Sequence, residues 1–234
     1  MDDRRNLIKS GLLAGASVLL TLPAVALEAG KEKKGTEEKE EDVSPAEDLM
    51  REHGLLNRVL LVYEECLRRL AAPKPDFDPG ALVSSADVIK RFIEEYHEEL
   101  EEKFLFPRFE KSRMHVELVA VLRTQHQAGR KVTAEILALG KAPIRDQETR
   151  RRASDLVSRF IRMYRPHEAR EDTVLFPALH EVVSRHEYAA LGEEFEKKEH
   201  EKFGKEGFEG MVDKVAAIEK TLGLYDLASF TPRG

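Results

Sequence analysis

The sequence predicts an all-α protein: an up-down-up-down four-helix bundle that continues into a C-terminal helical extension. Apolar residues recur at helical spacing along four long segments, whereas no segment sustains the apolar–polar alternation of a half-buried strand. Proline- and glycine-containing stretches separate the four segments, and long amphipathic helices joined by short loops pack most simply as an antiparallel bundle. A chain of 234 residues can hold one such domain together with tails.

The first two helices are predicted to lie on either side of the loop AAPKPDFDPG. The first begins at Ser44 and Pro45, a favourable cap and first turn, and runs to about Leu70. The second runs from about residue 82 to 106, where we expect Pro107 to interrupt it because proline lacks the N–H that an α-helix interior requires.

The third and fourth helices follow the same plan. The third is predicted over about residues 112–139 and ends at GKAPIRD, and the fourth over about 147–176, with Pro166 kinking it and Pro177 ending it. The bundle then occupies residues 46–178. Residues 179–234 are predicted as the helical extension, with two more helices that break at GKEG.

The N-terminal segment is predicted to be an export signal covering residues 1–26. A basic start is followed by a moderately apolar run and by Ala-Val-Ala, the small-x-small pattern of a cleavage site. DRRNLIK, with Arg4 and Arg5, resembles the twin-arginine signal, so we expect a periplasmic or otherwise exported protein without stable membrane insertion after cleavage. An uncleaved membrane anchor is the alternative, although the run is short for a span.

Composition limits the remaining possibilities. Residues 27–45 are mostly charged and cannot bury apolar surface, so we expect a disordered linker there. The net charge of −6 argues against a nucleic-acid partner, because the phosphate backbone is itself anionic. Cys66 is the only cysteine, so no internal disulfide can form.

An eleven-residue phrase occurs twice and carries the functional signal. HEELEEKFLFP begins at His97 and HEAREDTVLFP begins at His167, and six of the eleven residues are identical. Each phrase is preceded by another histidine, His53 by 44 residues and His126 by 41 residues. The chain therefore reads as two helix hairpins, each with one histidine on its first helix and a His-x-x-x-Glu on its second.

This spacing predicts a metal site inside the bundle. Residues four apart lie on one helix face, so each His-x-x-x-Glu can aim an imidazole and a carboxylate at one interior point. Two carboxylates facing each other in an apolar core repel and are costly to desolvate, and a pair of cations removes that cost. The candidate ligands are His53, His97, Glu101, His126, His167 and Glu171.

These residues resemble the ligand set of the hemerythrin-like (HHE) cation-binding domain, a four-helix bundle that holds two non-haem irons. The resemblance implies that Glu101 and Glu171 bridge the metals. Oxygen-carrying members have a further histidine four residues from the one on the third helix, but here Leu122 and Arg130 occupy those places. An open position could then take water, a small ligand, or the carboxylate that follows each repeat histidine, Glu98 or Glu168.

Other metalloprotein classes fit less well. Ferritin-like proteins repeat Glu-x-x-His, which Glu94 and His97 satisfy, but Tyr164 breaks the second copy. Zinc prefers four-coordinate sites, whereas mixed nitrogen and oxygen ligands around two cations suit iron, and manganese less well. The other four histidines are predicted to lie outside the site: His115, His180, His186 and His200.

Two function classes remain open. In the first, the di-iron site binds or senses oxygen, nitric oxide or iron. In the second, the same site is an enzyme that reduces oxygen or peroxide or oxidises ferrous iron. No separate acid, base or nucleophile set is evident outside the cluster, so we favour a binding protein over an enzyme. The extension could contact a protein partner.

Overall fold

The computed structural model describes residues 44–72, 77–140 and 143–232, and within them the chain is helical with no strand. The all-α prediction is confirmed. Among these residues, no helix has the length and apolar character that crossing a bilayer would need. The predicted signal segment, 1–26, and the predicted linker up to residue 43 lie outside the described residues.

Helix α1 spans Pro45–Leu70 and begins with a capping box. The Ser44 side chain accepts from the Glu47 N–H, and the Glu47 carboxylate accepts from the Ser44 N–H. Pro45 occupies the first turn, where its missing N–H costs nothing. Apolar residues at helical spacing, such as Leu49 and Leu56, are fully buried, so one face of α1 belongs to the core.

Helix α2 covers residues 80–112 and alternates between α- and π-helical segments. It runs through Gly80–Val88 (α), Ile89–His97 (π), Glu98–Leu100 (α), Glu101–Leu105 (π) and Phe106–Ser112 (α). The prediction that Pro107 interrupts this helix is wrong. The Phe106 N–H bonds the Glu101 carbonyl five residues back, and this wider turn lets Pro107 sit in the first turn of the next α segment.

The second half of the bundle repeats this arrangement. Helix α3 spans Val116–Leu139, and helix α4 covers residues 147–182, with α segments Gln147–Arg170 and Phe176–Val182 around a π segment, Glu171–Leu175. The prediction that Pro177 ends the helix is wrong for the same reason as at Pro107, since the Phe176 N–H bonds the Glu171 carbonyl. Pro166 lies inside the first α segment without ending it.

The four helices form a closed ring of neighbours: α1 contacts α2 and α4, and α3 likewise contacts α2 and α4. Phe77 in the α1–α2 loop pairs with Ile144 in the α3–α4 loop, so both loops lie at the same end of the bundle, as the up-down-up-down order requires. We call α1 with α2 the first hairpin and α3 with α4 the second hairpin.

The predicted C-terminal extension is confirmed as helical. Helix α5 spans Arg185–Phe203, later than predicted because α4 continues to Val182, and helix α6 spans Gly207–Leu222. Helix α6 packs on α1 and α2, so it touches the first hairpin. Glu219 of α6 accepts two hydrogen bonds from Arg58 of α1, at 2.9 and 2.6 Å.

Candidate metal centre

The six predicted site residues come together in the middle of the bundle, and each is at most 4% exposed. Helix α1 contributes His53, α2 contributes His97 and Glu101, α3 contributes His126, and α4 contributes His167 and Glu171. They form two groups, each drawn from one hairpin, in which the donor atoms lie within 4.8 Å of one another. The groups are His53, His97 and Glu101, and His126, His167 and Glu171.

The two carboxylates lie between the groups. Glu101 Oε2 is 3.7 Å from His97 Nε2 in its own hairpin and 3.4 Å from His126 Nε2 in the other. Glu171 Oε2 is likewise 3.1 Å from His167 Nε2 and 3.4 Å from His53 Nε2. Each carboxylate therefore faces one imidazole of each hairpin, which is the position that a bridging ligand needs.

The repeat is also visible in the backbone. In each hairpin a π segment begins at the site glutamate, at Glu101 in α2 and at Glu171 in α4. A π turn inside an α-helix is rare and is frequently found at functional sites. The sequence signal for it is the Leu-Phe-Pro that closes each phrase, because proline tolerates the wider turn.

Each site histidine is held from outside by a polar side chain on its Nδ1 atom, so that Nε2 faces the interior. His53 Nδ1 lies 2.7 Å from Asp172 and His97 Nδ1 lies 2.7 Å from Glu52. The other two Nδ1 atoms are each 2.9 Å from a partner: His126 from Glu102 and His167 from Gln125. Such outer partners fix the ring orientation of metal-binding histidines and the nitrogen that is free to ligate.

The outer partners follow a pattern that sequence reasoning missed. Glu52 and Gln125 directly precede the first histidine of their hairpin and hold the second histidine of that hairpin. Glu102 and Asp172 directly follow the site glutamate and hold the first histidine of the opposite hairpin. The available signal was the acidic residue at the sixth position of each phrase, Glu102 in the first and Asp172 in the second.

Several interior atoms lack any hydrogen-bond partner among the described residues. Among the six site residues these atoms are His97 Nε2 and both carboxylate oxygens of Glu101 and of Glu171. Buried carboxylates without partners are strongly destabilising, and cations are the usual compensation. Imidazole nitrogen with carboxylate oxygen is a donor set that suits iron and manganese, so the residues present fit a pair of such cations.

The imidazoles differ in proton affinity when no cation is present. Burial lowers the pKa of His97 and of His167 to about 3, so both are neutral at physiological pH, the form that ligates metals. Burial also lowers the pKa of His126, but the carboxylates of Glu101 and Glu102, 3.4 and 2.9 Å from its ring nitrogens, outweigh this and raise it to about 10. A cation binding at His126 therefore competes with a proton.

Glu98 and Glu168, the two carboxylates considered as extra ligands, are held by residues on other helices. Glu98 accepts from the Tyr164 hydroxyl at 2.7 Å and pairs with Arg130 at 2.8 Å. Glu168 accepts from the Asn57 amide at 3.1 Å. Burial raises the pKa of each carboxyl to about 7.

Oxygen carriers have a further histidine four residues from the one on the third helix. The two such positions here, four residues before and four residues after His126, hold residues with different surroundings. Leu122 is buried in the hydrophobic core, and Arg130 contacts Glu98 and Glu102. The four histidines predicted to lie outside the site belong to none of the donor groups found in the described residues, and all are exposed: His115, His180, His186 and His200.

Comparison with known proteins matches the chain to one protein family and to three similar proteins, but to no solved structure. The model of the Hemerythrin HHE cation binding domain matches residues 44–179. The chain is 47% identical over 232 residues to uncharacterized proteins of Mycobacterium bovis and of two Mycobacterium tuberculosis strains, CDC 1551 and H37Rv. These alignments cover 98% of this chain and 91% of each relative. No solved structure matches the chain significantly.

Proposed function

Because the chain belongs to the hemerythrin HHE cation-binding domain family, we propose that it holds two non-haem iron ions and binds or senses a small ligand there. The observation that carries this proposal is the position of Glu101 and Glu171. The Oε2 atom of each carboxylate faces an imidazole from both hairpins, which is how two cations sharing carboxylates would be held.

In this proposal each hairpin supplies one iron position. His53, His97 and Glu101 hold one ion, and His126, His167 and Glu171 hold the other. Iron would supply the affinity for oxygen or nitric oxide and the change of oxidation state, while the chain orients the ligands through the Nδ1 partners and keeps water out. Iron is favoured over manganese by the family, since both accept this donor set.

Ligand sensing is favoured over reversible oxygen carriage by Leu122. An apolar side chain occupies a place where an oxygen carrier has an imidazole, so the second hairpin offers one nitrogen fewer than a carrier does. With fewer ligands the centre is more open to oxidation. We expect the reduced, iron-loaded protein to be converted by oxygen into an oxidised form that does not return to the reduced form under vacuum, and Leu122→His to slow that conversion.

A second candidate is an enzyme that reduces oxygen or peroxide or oxidises ferrous iron. The observation that favours it is the buried pair of Tyr164 and Glu98, in which the phenol donates to the carboxylate beside His97. Such a pair can supply or accept a proton at the Glu98 Oε1 atom. Steady-state turnover of peroxide by the iron-loaded protein would separate this candidate from a binding protein.

We also propose that residues 1–26 direct export and that the mature protein acts outside the cytoplasm, with the extension available to a protein partner. If the signal is of the twin-arginine type, replacing Arg4 and Arg5 together with lysine should leave the precursor uncleaved inside the cell. Efficient export of that variant would reject the twin-arginine reading, and a membrane-bound product retaining residue 1 would favour an anchor.

The metal proposal is tested by elemental analysis of protein purified after expression in iron-supplemented medium. We expect about two iron atoms per chain, because each hairpin contributes one ligand group. An absorption spectrum recorded before and after reduction would report whether the ions share a carboxylate-rich centre. Protein that retains no iron, while folding as a bundle, would contradict the proposal.

A further inference from the structure

The six site residues are sealed from solvent, so a cation can reach them only through a part of the bundle that opens. The described surface has a cavity of about 640 Å³ beside the site, between α2 and α3. Glu102 lines this cavity and also lies 2.9 Å from His126 Nδ1. Glu102 therefore connects the cavity to His126, one of the six site residues.

Arg130 lies between the cavity and the site. Its Nη2 atom is 2.8 Å from Glu98 Oε2 and 2.9 Å from Glu102 Oε1, so one guanidinium bridges both carboxylates. Arg130 lines the cavity and is 32% exposed, whereas Glu98 behind it is 1% exposed. The guanidinium therefore covers Glu98 from the cavity side.

The groups beneath Arg130 could hold a cation in its place. Glu98, Glu102 and His126 each offer one donor atom, and these atoms lie within 4.8 Å of one another. The Tyr164 hydroxyl holds Glu98 through Oε1, which leaves Oε2 turned towards Arg130. Gly129 leaves room for that hydroxyl, because a Cβ at this position would lie 2.0 Å from it.

We propose that cations enter the metal centre through this cavity and that Arg130 is the gate. An incoming divalent cation displaces the guanidinium from Glu98 and Glu102, is held by these two carboxylates, and then passes inward to His126 and Glu101. Once the cation has passed, Arg130 returns and closes the path. This inference rests on the proposed metal-binding function and concerns the route by which the site is filled.

The first hairpin supplies a matched comparison. Asn57 stands four residues after His53, as Arg130 stands four residues after His126, and it donates to Glu168 in place of Glu98. The amide is neutral and bonds one carboxylate, whereas the guanidinium bonds two. Arg130 lines the cavity described above, and Asn57 does not.

The test is the rate at which metal-free protein takes up Co²⁺, followed by stopped-flow absorption, with the final stoichiometry measured separately. We expect Arg130→Ala to load about tenfold faster, because two partly exposed ion pairs no longer have to break, and Arg130→Lys to be intermediate. Removal of bound Co²⁺ by a chelator should accelerate in the same order.

Three further variants sharpen the result. Asn57→Ala should load at the wild-type rate. Lys103→Ala removes a charge from the same cavity without touching Glu98 or Glu102, and it should change the rate much less than Arg130→Ala. Ala134→Trp fills the cavity from its lining and should slow loading in both the wild-type and the Arg130→Ala background.

The outcomes separate the gate from the metal site itself. Equal loading rates in wild type and Arg130→Ala, slower loading in Arg130→Ala, or full-speed loading with Ala134→Trp would each overturn the gate. If Lys103→Ala accelerates loading as much as Arg130→Ala, the effect is general electrostatics and the gate is also rejected. Failure of the wild-type protein to bind Co²⁺ at any time would instead contradict the proposed function.

Discussion

The two hairpins use one ligand pattern in two different surroundings. Both place one histidine on the first helix and a His-x-x-x-Glu on the second, and both open a π turn at the glutamate. Outside that pattern they differ: the residue before the first histidine is Glu52 in one and Gln125 in the other, and four residues after it stand Asn57 and Arg130. The interior geometry is duplicated while the outer contacts have diverged.

The inner and outer positions differ in how strictly their residues are constrained. The interior positions are constrained by the shared centre, because each site carboxylate faces imidazoles of both hairpins. The outer positions only have to present an acceptor or donor to a ring or carboxylate, and several residue types can do that. The two cation positions should therefore have similar inner ligands but unequal affinity and unequal access.

The largest effect should follow from removing an inner imidazole from either hairpin. His97→Ala or His167→Ala should lower the iron content from about two atoms per chain to about one or fewer, since the carboxylates are shared. Elemental analysis of equal amounts of each variant measures the iron content. His180→Ala, which replaces an exposed histidine, is the control. Full iron content in both variants would rule out these ligands.

Removing the metal should destabilise the folded protein. Glu101 and Glu171 then keep buried oxygens without partners. A ligand held at one hundred times its dissociation constant adds about 2.7 kcal/mol to the free energy of unfolding. Chelated protein should melt several degrees lower in thermal denaturation, and adding iron back should restore the transition. Identical melting curves with and without metal would contradict the proposed compensation.

The outer partners of the two hairpins should contribute unequally. Glu52→Ala should weaken metal binding by about 10–100-fold, because the carboxylate that orients His97 is lost. Gln125→Ala should have a smaller effect, about tenfold or less, since a neutral amide is the weaker acceptor. Competition titration with a chelator measures both, and Glu99→Ala, which removes an exposed ion pair, is the control. Equal losses of metal affinity in Glu52→Ala and Gln125→Ala would contradict the predicted difference between the two hairpins.

Two helical glycines should respond with opposite signs. Gly129→Ala in α3 should lower the free energy of unfolding by about 1–3 kcal/mol, because the new methyl group collides with the Tyr164 hydroxyl. Gly54→Ala in α1 has open space around the added Cβ and should raise the same quantity by about 0.5–1 kcal/mol. Urea denaturation of both metal-free variants measures the two changes in unfolding free energy. A change of the same sign in both would contradict the close packing of Gly129 against Tyr164.

The sequence was sufficient to predict that the six candidate residues lie together in the bundle, because its information is local. Residues four apart on a helix share a face, and the repeated phrase paired the two faces, so the positions of Glu101 and Glu171 needed no knowledge of packing. The course of the helices past Pro107 and Pro177 was not predictable in this way. The rule that proline ends an α-helix assumes i−4 hydrogen bonding, and a π turn changes that register.

The contacts between helices also lay beyond the sequence. Glu102 and Asp172 hold histidines of the opposite hairpin, and Arg58 holds Glu219 of α6 across 161 residues of chain. No spacing rule connects positions so far apart. The same limit applies to Arg130: its place four residues after His126 marked a missing imidazole, but only the packed bundle shows that it bridges Glu98 and Glu102.

The most direct test of the central claim is a crystal structure of iron-loaded protein with anomalous scattering recorded at the iron edge. We expect two peaks inside the bundle, one beside His53, His97 and Glu101 and the other beside His126, His167 and Glu171, with both carboxylates between them. A single peak, or iron bound instead at the separate acidic group of Asp48, Glu52 and Glu199, would contradict it.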